Sequence, residues 1–202
     1  MSRAVSSLVW SLVILALLFG GVWTYSALTH VHVYAGTTIS EPKPLPDFSL
    51  ANTRGTVTAA RDLVGKPTLM FFGYTHCPDY CPNTLSHIKQ VLDELPESQR
   101  EKVQVVFVSL DPERDTPEVL ARYLEFFNPR YLGLTGAPEE TESLVKSLGV
   151  YYQKSGEFEG GYFVDHTTAT YLFDRTGNLV ALYDYSQIAE AESVALDLIY
   201  LL

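Results

Sequence analysis

The chain has 202 residues, close to the ~100–200 of a single domain, and 47% of them are apolar against 19% charged, so a packed core is feasible and wholesale disorder is excluded. The net charge of −10 argues against a nucleic-acid partner. Two cysteines are too few for a disulfide-stapled mini-protein or a four-cysteine zinc site.

The charge is unevenly spread. After Arg3 the next formally charged residue is Glu41, so Ala4 to Ser40 is uncharged. From Glu41 onward the chain carries 13 positive and 24 negative side chains, a balance of −11. Within the uncharged run, Leu8 to Ala27 reads LVWSLVILALLFGGVWTYSA. As a helix it would be about 30 Å long, enough to cross a bilayer. Trp10 and Trp23 sit near its two ends, where amphipathic rings favour the interface. A cleaved signal would need small residues before the cut, but a cut after Ala27 puts Tyr25 at such a position. The reading is one uncleaved N-terminal transmembrane helix within residues 1–35. Arg3 keeps the start cytoplasmic, and the absence of an Arg- and Ser-rich transit peptide favours a bacterial inner membrane with the rest of the chain in the periplasm. His30 and His32 lie just past this segment and read as solvated interface residues.

Gly36 to Pro46 (GTTISEPKPLP) contains three prolines and reads as an extended, semi-rigid linker over residues 36–46. From residue 47 to 202 strands and helices alternate. Thr68 to Tyr74 is a short apolar run expected as a buried strand. Leu85, Ile88, Leu92 and Leu95 follow at helical spacing, and Val103 to Leu110 reads as a second strand. Thr116 and Pro117 form an N-cap and first-turn proline for a helix with Leu120, Tyr123, Leu124 and Phe127 on one face. Leu144, Val145 and Leu148 mark another helix, stopped by Gly149. Thr170 to Asp174 and Asn178 to Tyr183 flank a turn and predict a hairpin. Ile188 to Leu202 reads as a final helix. The sum is an α/β domain with a mixed sheet.

Cys77 and Cys81 lie in H-C-P-D-Y-C-P, between the first apolar strand and the first helix. Pro82 would break a helix begun at Pro78, so a helix starting near Pro82 is expected. The cysteines then occupy a turn at a helix N-terminus, where the partial positive charge favours thiolate. A structural disulfide gains little from so short a loop, and inert buried thiols fit poorly at such a turn. Two readings stay open: a thiol–disulfide oxidoreductase, although the usual redox motif has two intervening residues and this one has three, or a soft-metal site. Thiolates suit Cu(I), and an added imidazole suits Cu(II). Among the other histidines, His76 is expected to point away from Cys77 and His87 to lie at the surface. His166, in a loop leading into the strand near Thr170, would by itself read as structural.

Four motifs carry a family resemblance. G-Y-T-H-C-P-D-Y-C-P (Gly73 to Pro82), S-L-D-P-E-R-D-T-P (Ser109 to Pro117), G-L-T-G (Gly133 to Gly136) and V-D-H-T (Val164 to Thr167) resemble those of the SCO/SenC family in order and spacing. The resemblance implies a thioredoxin-like fold and a copper chaperone for the Cu(A) site of cytochrome c oxidase subunit II. It implies Cys77, Cys81 and His166 as copper ligands. Asp165 then reads either as an orienting partner of the His166 ring, as carboxylates beside metal-binding histidines often are, or as the cap of a turn. Asp111 and Asp115 resemble the family's acidic loop, and two roles stay open for them: holding the turn before the helix at Pro117, or acting at the site. The alternative is an anchored thiol–disulfide oxidoreductase that keeps the copper-site cysteines of a partner reduced.

Overall fold

The computed structural model describes residues 3–28, 32–158 and 161–202. They fall into two units, Met1–Val33 and Tyr34–Leu202. The first contains helix α1 (Arg3–Leu28). Its described side chains run from residue 10 to 24, and the apolar ones, from Trp10 through Leu15 and Phe19 to Trp23, are exposed. Among the described residues no helix is long and apolar enough to cross a membrane. The ends of the expected span, Leu8, Val9 and residues 25–27, lie outside the described side chains, as does His30.

The second unit is built on β1 (Thr37–Pro44), β2 (Ser49–Asn52), β3 (Val57–Ala59), β4 (Thr68–Gly73), α2 (Tyr80–Glu94), α3 (Glu97–Arg100), β5 (Gln104–Ser109), α4 (Pro117–Glu125), β6 (Leu132–Thr135), α5 (Pro138–Ser147), β7 (Tyr152–Phe158), β8 (Gly161–His166), β9 (Thr170–Phe173), β10 (Asn178–Tyr183) and α6 (Ala191–Leu201). Short 3-10 turns cover Ala60–Leu63 and Gln187–Ala189. Eight strands form one sheet in the order β1-β10-β9-β4-β5-β6-β2-β3. β4, β5 and β6 run parallel, and β9 pairs antiparallel to β4. This is the mixed α/β sheet expected from the sequence.

Every residue of β4 is buried. A strand covered on both faces loses the polar alternation of a half-exposed one, which is why Thr68–Gly73 reads as an apolar run. Phe71 packs on Phe107 at 5.9 Å, and Phe72, pointing to the other face, packs on Tyr171 at 5.5 Å. All three phenylalanines are fully buried, each contributing roughly 1.5–3 kcal/mol of transfer free energy. α2 buries Leu85, Ile88, Val91 and Leu92 and packs against α6. The Thr116 side chain accepts from the Val119 N–H, and Pro117 opens α4, as the N-cap signal predicts.

Three expectations are corrected. Residues 36–46 are not a free spacer: Thr37, Thr38, Lys43 and Pro44 pair with β10 across a register break. β1 is the outermost strand, the place where prolines without an N–H to donate are tolerated. The globular unit therefore starts at Tyr34 rather than at residue 47. Its lead-in is fastened further: the Ala35 N–H donates to Asp197 Oδ2 at 2.9 Å, and Tyr34 meets Tyr200 edge-on at 6.4 Å. Second, the segment before His166 is not a loop. β7 and β8 form a separate two-stranded ribbon, and His166 ends β8. Third, the last helix is preceded by a 3-10 turn and begins at Ala191 rather than Ile188.

Candidate metal centre

β4 ends at Gly73, and the chain turns over Tyr74–Cys77, closed by the Cys77 N–H on the Tyr74 carbonyl at 3.3 Å. Asp79 stands at the N-cap position of α2 without a side-chain capping bond, and the helix starts at Tyr80, two residues before Pro82. Pro82 still falls in the first turn, where its missing N–H costs nothing. The Cys81 N–H at that N-terminus donates to Cys77 Sγ at 3.4 Å. The sulfur of the first cysteine therefore takes up a free N–H in the first turn of the helix that carries the second.

His166 comes from the ribbon. Its Nε2 lies 3.4 Å from Cys81 Sγ, and its Nδ1 lies 2.8 Å from the Thr167 carbonyl. That carbonyl can only accept, so Nδ1 is the nitrogen that donates to it and Nε2 is the nitrogen that faces the thiols. Phe71 and Tyr74 stand edge-on to the imidazole at 6.1 and 5.9 Å. Asp165 does not orient the ring. Side chains alternate along a strand, so Asp165 points to the opposite face from His166 and is exposed; the Thr167 carbonyl does the orienting instead.

The two thiols are free and differ in character. A hydrogen bond from Cys81, with further ones from His166 and the Cys81 and Asp79 backbone, overcomes partial burial and brings Cys77 down to about 3. Full burial, together with its hydrogen bond to Cys77, pushes Cys81 well above the usual thiol range. The pair is thus a partly buried thiolate at Cys77 and a buried thiol at Cys81.

Among the described residues, Cys77, Cys81 and His166 form a group whose ligand atoms all lie within 4.8 Å of one another. An ion about 2.0–2.3 Å from each donor needs donors roughly 3.5–4 Å apart; Cys81 Sγ and His166 Nε2 stand 3.4 Å apart, and the whole group lies within 4.8 Å. Two thiolates and one imidazole are a donor set for a soft or borderline ion. His76 is exposed beside Thr75 and Asp115 and lies outside the group, as expected. His87 is half-buried against Tyr185 at 5.5 Å rather than at the open surface.

Around the site two acids tie down the loop after β5. Asp115 is fully buried; its carboxylate accepts from the Thr75 N–H at 3.0 Å, the Thr75 hydroxyl at 2.6 Å and the Ser109 hydroxyl at 2.7 Å. Asp111 pairs with Arg114 and accepts from the Tyr162 hydroxyl at 2.7 Å. Both therefore serve the loop structurally, the first of the two roles open to them. Gly73 is a determinant whose role the motif alone does not reveal. A Cβ built there would lie 2.8 Å from Cys81 Sγ and 3.1 Å from the Phe71 and Phe107 rings. Only glycine lets the buried thiol sit over the end of β4.

The sequence profile described as SCO1/SenC matches residues 37–200. The chain belongs to the SCO1/SenC family. It is 41% identical over 136 residues to "Protein SCO1 homolog 1, mitochondrial" of Arabidopsis thaliana, covering 67% of this chain and 41% of that protein. It is 42% identical over 146 residues to "Protein SCO2 homolog, mitochondrial" of Bos taurus, covering 71% and 55%. The chain thus spans about half the length of these curated relatives. Among solved structures, apo Sco1 from Thermus thermophilus superposes with a TM-score of 0.76 at 42% identity, covering 86% of this chain and 99% of that one. Copper-bound ScoI of Bradyrhizobium japonicum gives 0.70 at 41% identity, covering 77% and 98%. The fold of this family member is thioredoxin-like with a mixed sheet.

Proposed function

We propose that this chain is a membrane-anchored copper chaperone that delivers copper to the Cu(A) site of cytochrome c oxidase subunit II. The convergence of Cys77, Cys81 and His166 within 4.8 Å carries the reading. Copper bound to a 41% identical relative supports the choice of ion, and the acceptor is the one the family resemblance implies. The uncharged run from Ala4 to Ser40 and the single Arg3 before it support an anchor in a bacterial inner membrane with the globular unit in the periplasm.

Cys77 is the receiving ligand, being both accessible and already a thiolate. Cys81 gives up its proton as it takes its place on the ion. His166 supplies Nε2 as the third donor, widening the site from Cu(I) to Cu(II). Release is ligand exchange: acceptor thiolates replace Cys77, then the buried Cys81.

The same pair supports a second reading, a thiol–disulfide oxidoreductase. A low-pKa Cys77 beside a protonated Cys81 is the arrangement in which one sulfur attacks a partner disulfide and the other resolves the mixed disulfide. Its products would be two partner thiols and a Cys77–Cys81 disulfide.

Copper titration of the full chain in detergent is expected to give one ion per chain, lost in Cys77→Ser or Cys81→Ser. Stoichiometric binding by the double variant would sink the assignment. His166→Ala is expected to weaken Cu(II) more than Cu(I); equal effects remove its proposed role. Mixing the loaded chain with an apo subunit II domain separates the readings. Metal transfer without thiol oxidation supports the chaperone, and disulfide reduction without transfer supports the oxidoreductase.

A further inference from the structure

The ribbon that carries His166 belongs to its own two-stranded sheet, and no strand of the eight-stranded sheet pairs with it among the described residues. The imidazole is therefore placed by how side chains dock the ribbon. Tyr162, Val164 and His166 share one face of β8 by strand alternation. Val164 is buried in the core, its backbone donates to the hydroxyl of Tyr74, and the Tyr74 ring meets His166. About 13 Å along the strand from His166, Tyr162 meets the loop after β5. Its hydroxyl donates to Asp111 Oδ1 at 2.7 Å and lies 3.1 Å from Glu113 Oε2. The Arg114 guanidinium stacks over the Tyr162 ring at 3.8 Å and faces the Tyr74 ring at 5.7 Å. Its Nε is paired with Asp111. Its two terminal nitrogens are buried with no hydrogen-bond partner, so the rings are what hold them. Lys154 of β7 adds an outer tie to Glu113 at 2.7 Å.

We propose that Arg114, Asp111 and Tyr162 form a positioning latch that docks the ribbon on the loop after β5 and so sets where the His166 imidazole stands against the two thiols. The proposal rests on the copper reading above. It distinguishes the oxidation states of the cargo. Cu(I) is served by the two thiolates, which the latch does not touch, whereas Cu(II) depends on the imidazole.

The test uses the full chain in detergent with Tyr162→Leu, Tyr162→Phe, His166→Ala and the Tyr162→Leu/His166→Ala double variant. Tyr162→Leu is expected to weaken Cu(II) by about 10–100-fold, the range for removing groups that orient a metal-bound histidine, with Cu(I) affinity changed less than about threefold. The nitrogen coupling in the Cu(II) electron-spin spectrum should diminish with it. Tyr162→Phe keeps the stack and loses the hydroxyl, so it is expected to fall between. In the His166→Ala background the Leu substitution should add nothing. Without copper, the His166 ring resonances should shift in the Leu variant. Wild-type Cu(II) affinity and unshifted ring resonances in Tyr162→Leu would overturn the latch. So would an equal loss of both oxidation states that persists in the His166→Ala background, because that marks a general structural role. If Tyr162→Leu does not fold, Tyr162→Phe and Arg114→Lys decide by the same readouts. A wild-type chain that binds no copper would overturn the chaperone reading instead, and the copper-free ring shifts would still decide the latch.

Discussion

Gly73→Ala adds one methyl group at the junction of the strand and the site. Ordinary carbon contacts lie at about 3.5–4.0 Å. The new Cβ would meet Cys81 Sγ at 2.8 Å and the Phe71 and Phe107 rings at 3.1 Å. All three neighbours are fully buried, so none swings into solvent. Overpacking of this kind costs about 1–3 kcal/mol. At ~2–4 °C per kcal/mol for a domain of this size, the Tm of the copper-free chain should fall by roughly 2–12 °C. The sulfur is the least constrained neighbour, so part of the strain should appear as a displaced ligand and a copper affinity lower by about tenfold or more. Thermal melts and competition titrations with a copper chelator read the two effects separately. Cys81→Ser supplies the control. An oxygen sits closer to its own Cβ than a sulfur does, so the stability cost of Gly73→Ala should shrink in that background. A Gly73→Ala chain with wild-type Tm and wild-type copper affinity would refute the argument. So would an undiminished stability cost in the serine background, since the sulfur would then not be what the methyl meets.

Three further outcomes are expected. Cys77 in the copper-free chain should react with iodoacetamide at a nearly constant rate between about pH 5 and 8, where an ordinary thiol slows about tenfold per unit below ~8.5, while Cys81 stays unmodified. Loading copper near pH 7 should release about one proton, from Cys81, because Cys77 is already a thiolate; two protons, read in a weakly buffered titration, would contradict the assignment. Asp115→Ala strands the Thr75 amide and two hydroxyls and should cost about 3 kcal/mol in urea unfolding, with weaker copper binding because the turn before Cys77 loses its tie. Asp197→Ala removes the acceptor of the Tyr183 hydroxyl at 2.8 Å and of the Ala35 N–H. It should cost about 1–3 kcal/mol and leave copper affinity unchanged; a large affinity loss would mean that the β1 edge communicates with the site.

Much of this is legible in the residues, and the failures have physical causes. The β4–Cys77–Cys81–α2 passage is local, so an apolar run, a turn and a first-turn proline suffice to place both thiols. Thr116 and Pro117 mark α4 for the same reason. His166 is different. It reaches Cys81 from 85 positions away, and nothing in its own neighbourhood signals that approach; only the shared motifs point to it. The β7–β8 ribbon escapes because YQKSGEF offers no apolar alternation, the docking being done by Tyr162, Val164 and Arg114 rather than by a broad apolar face. The spacer reading of residues 36–46 fails because prolines suit an edge strand as well as a linker. Asp165 fails through alternation: adjacency in a strand puts two side chains on opposite faces.

The separation of the two cysteines from the histidine also orders events in time. A growing chain exposes both cysteines 85 residues before His166. At about 5–20 residues per second that interval is roughly 4–17 s. Throughout it the thiols lack their imidazole, and β4 lacks one of its two neighbours, since β9 is made later still. The nascent protein is thus a bare dithiol before it is a metal site, and an oxidant that reaches it in that window would close the pair before copper does.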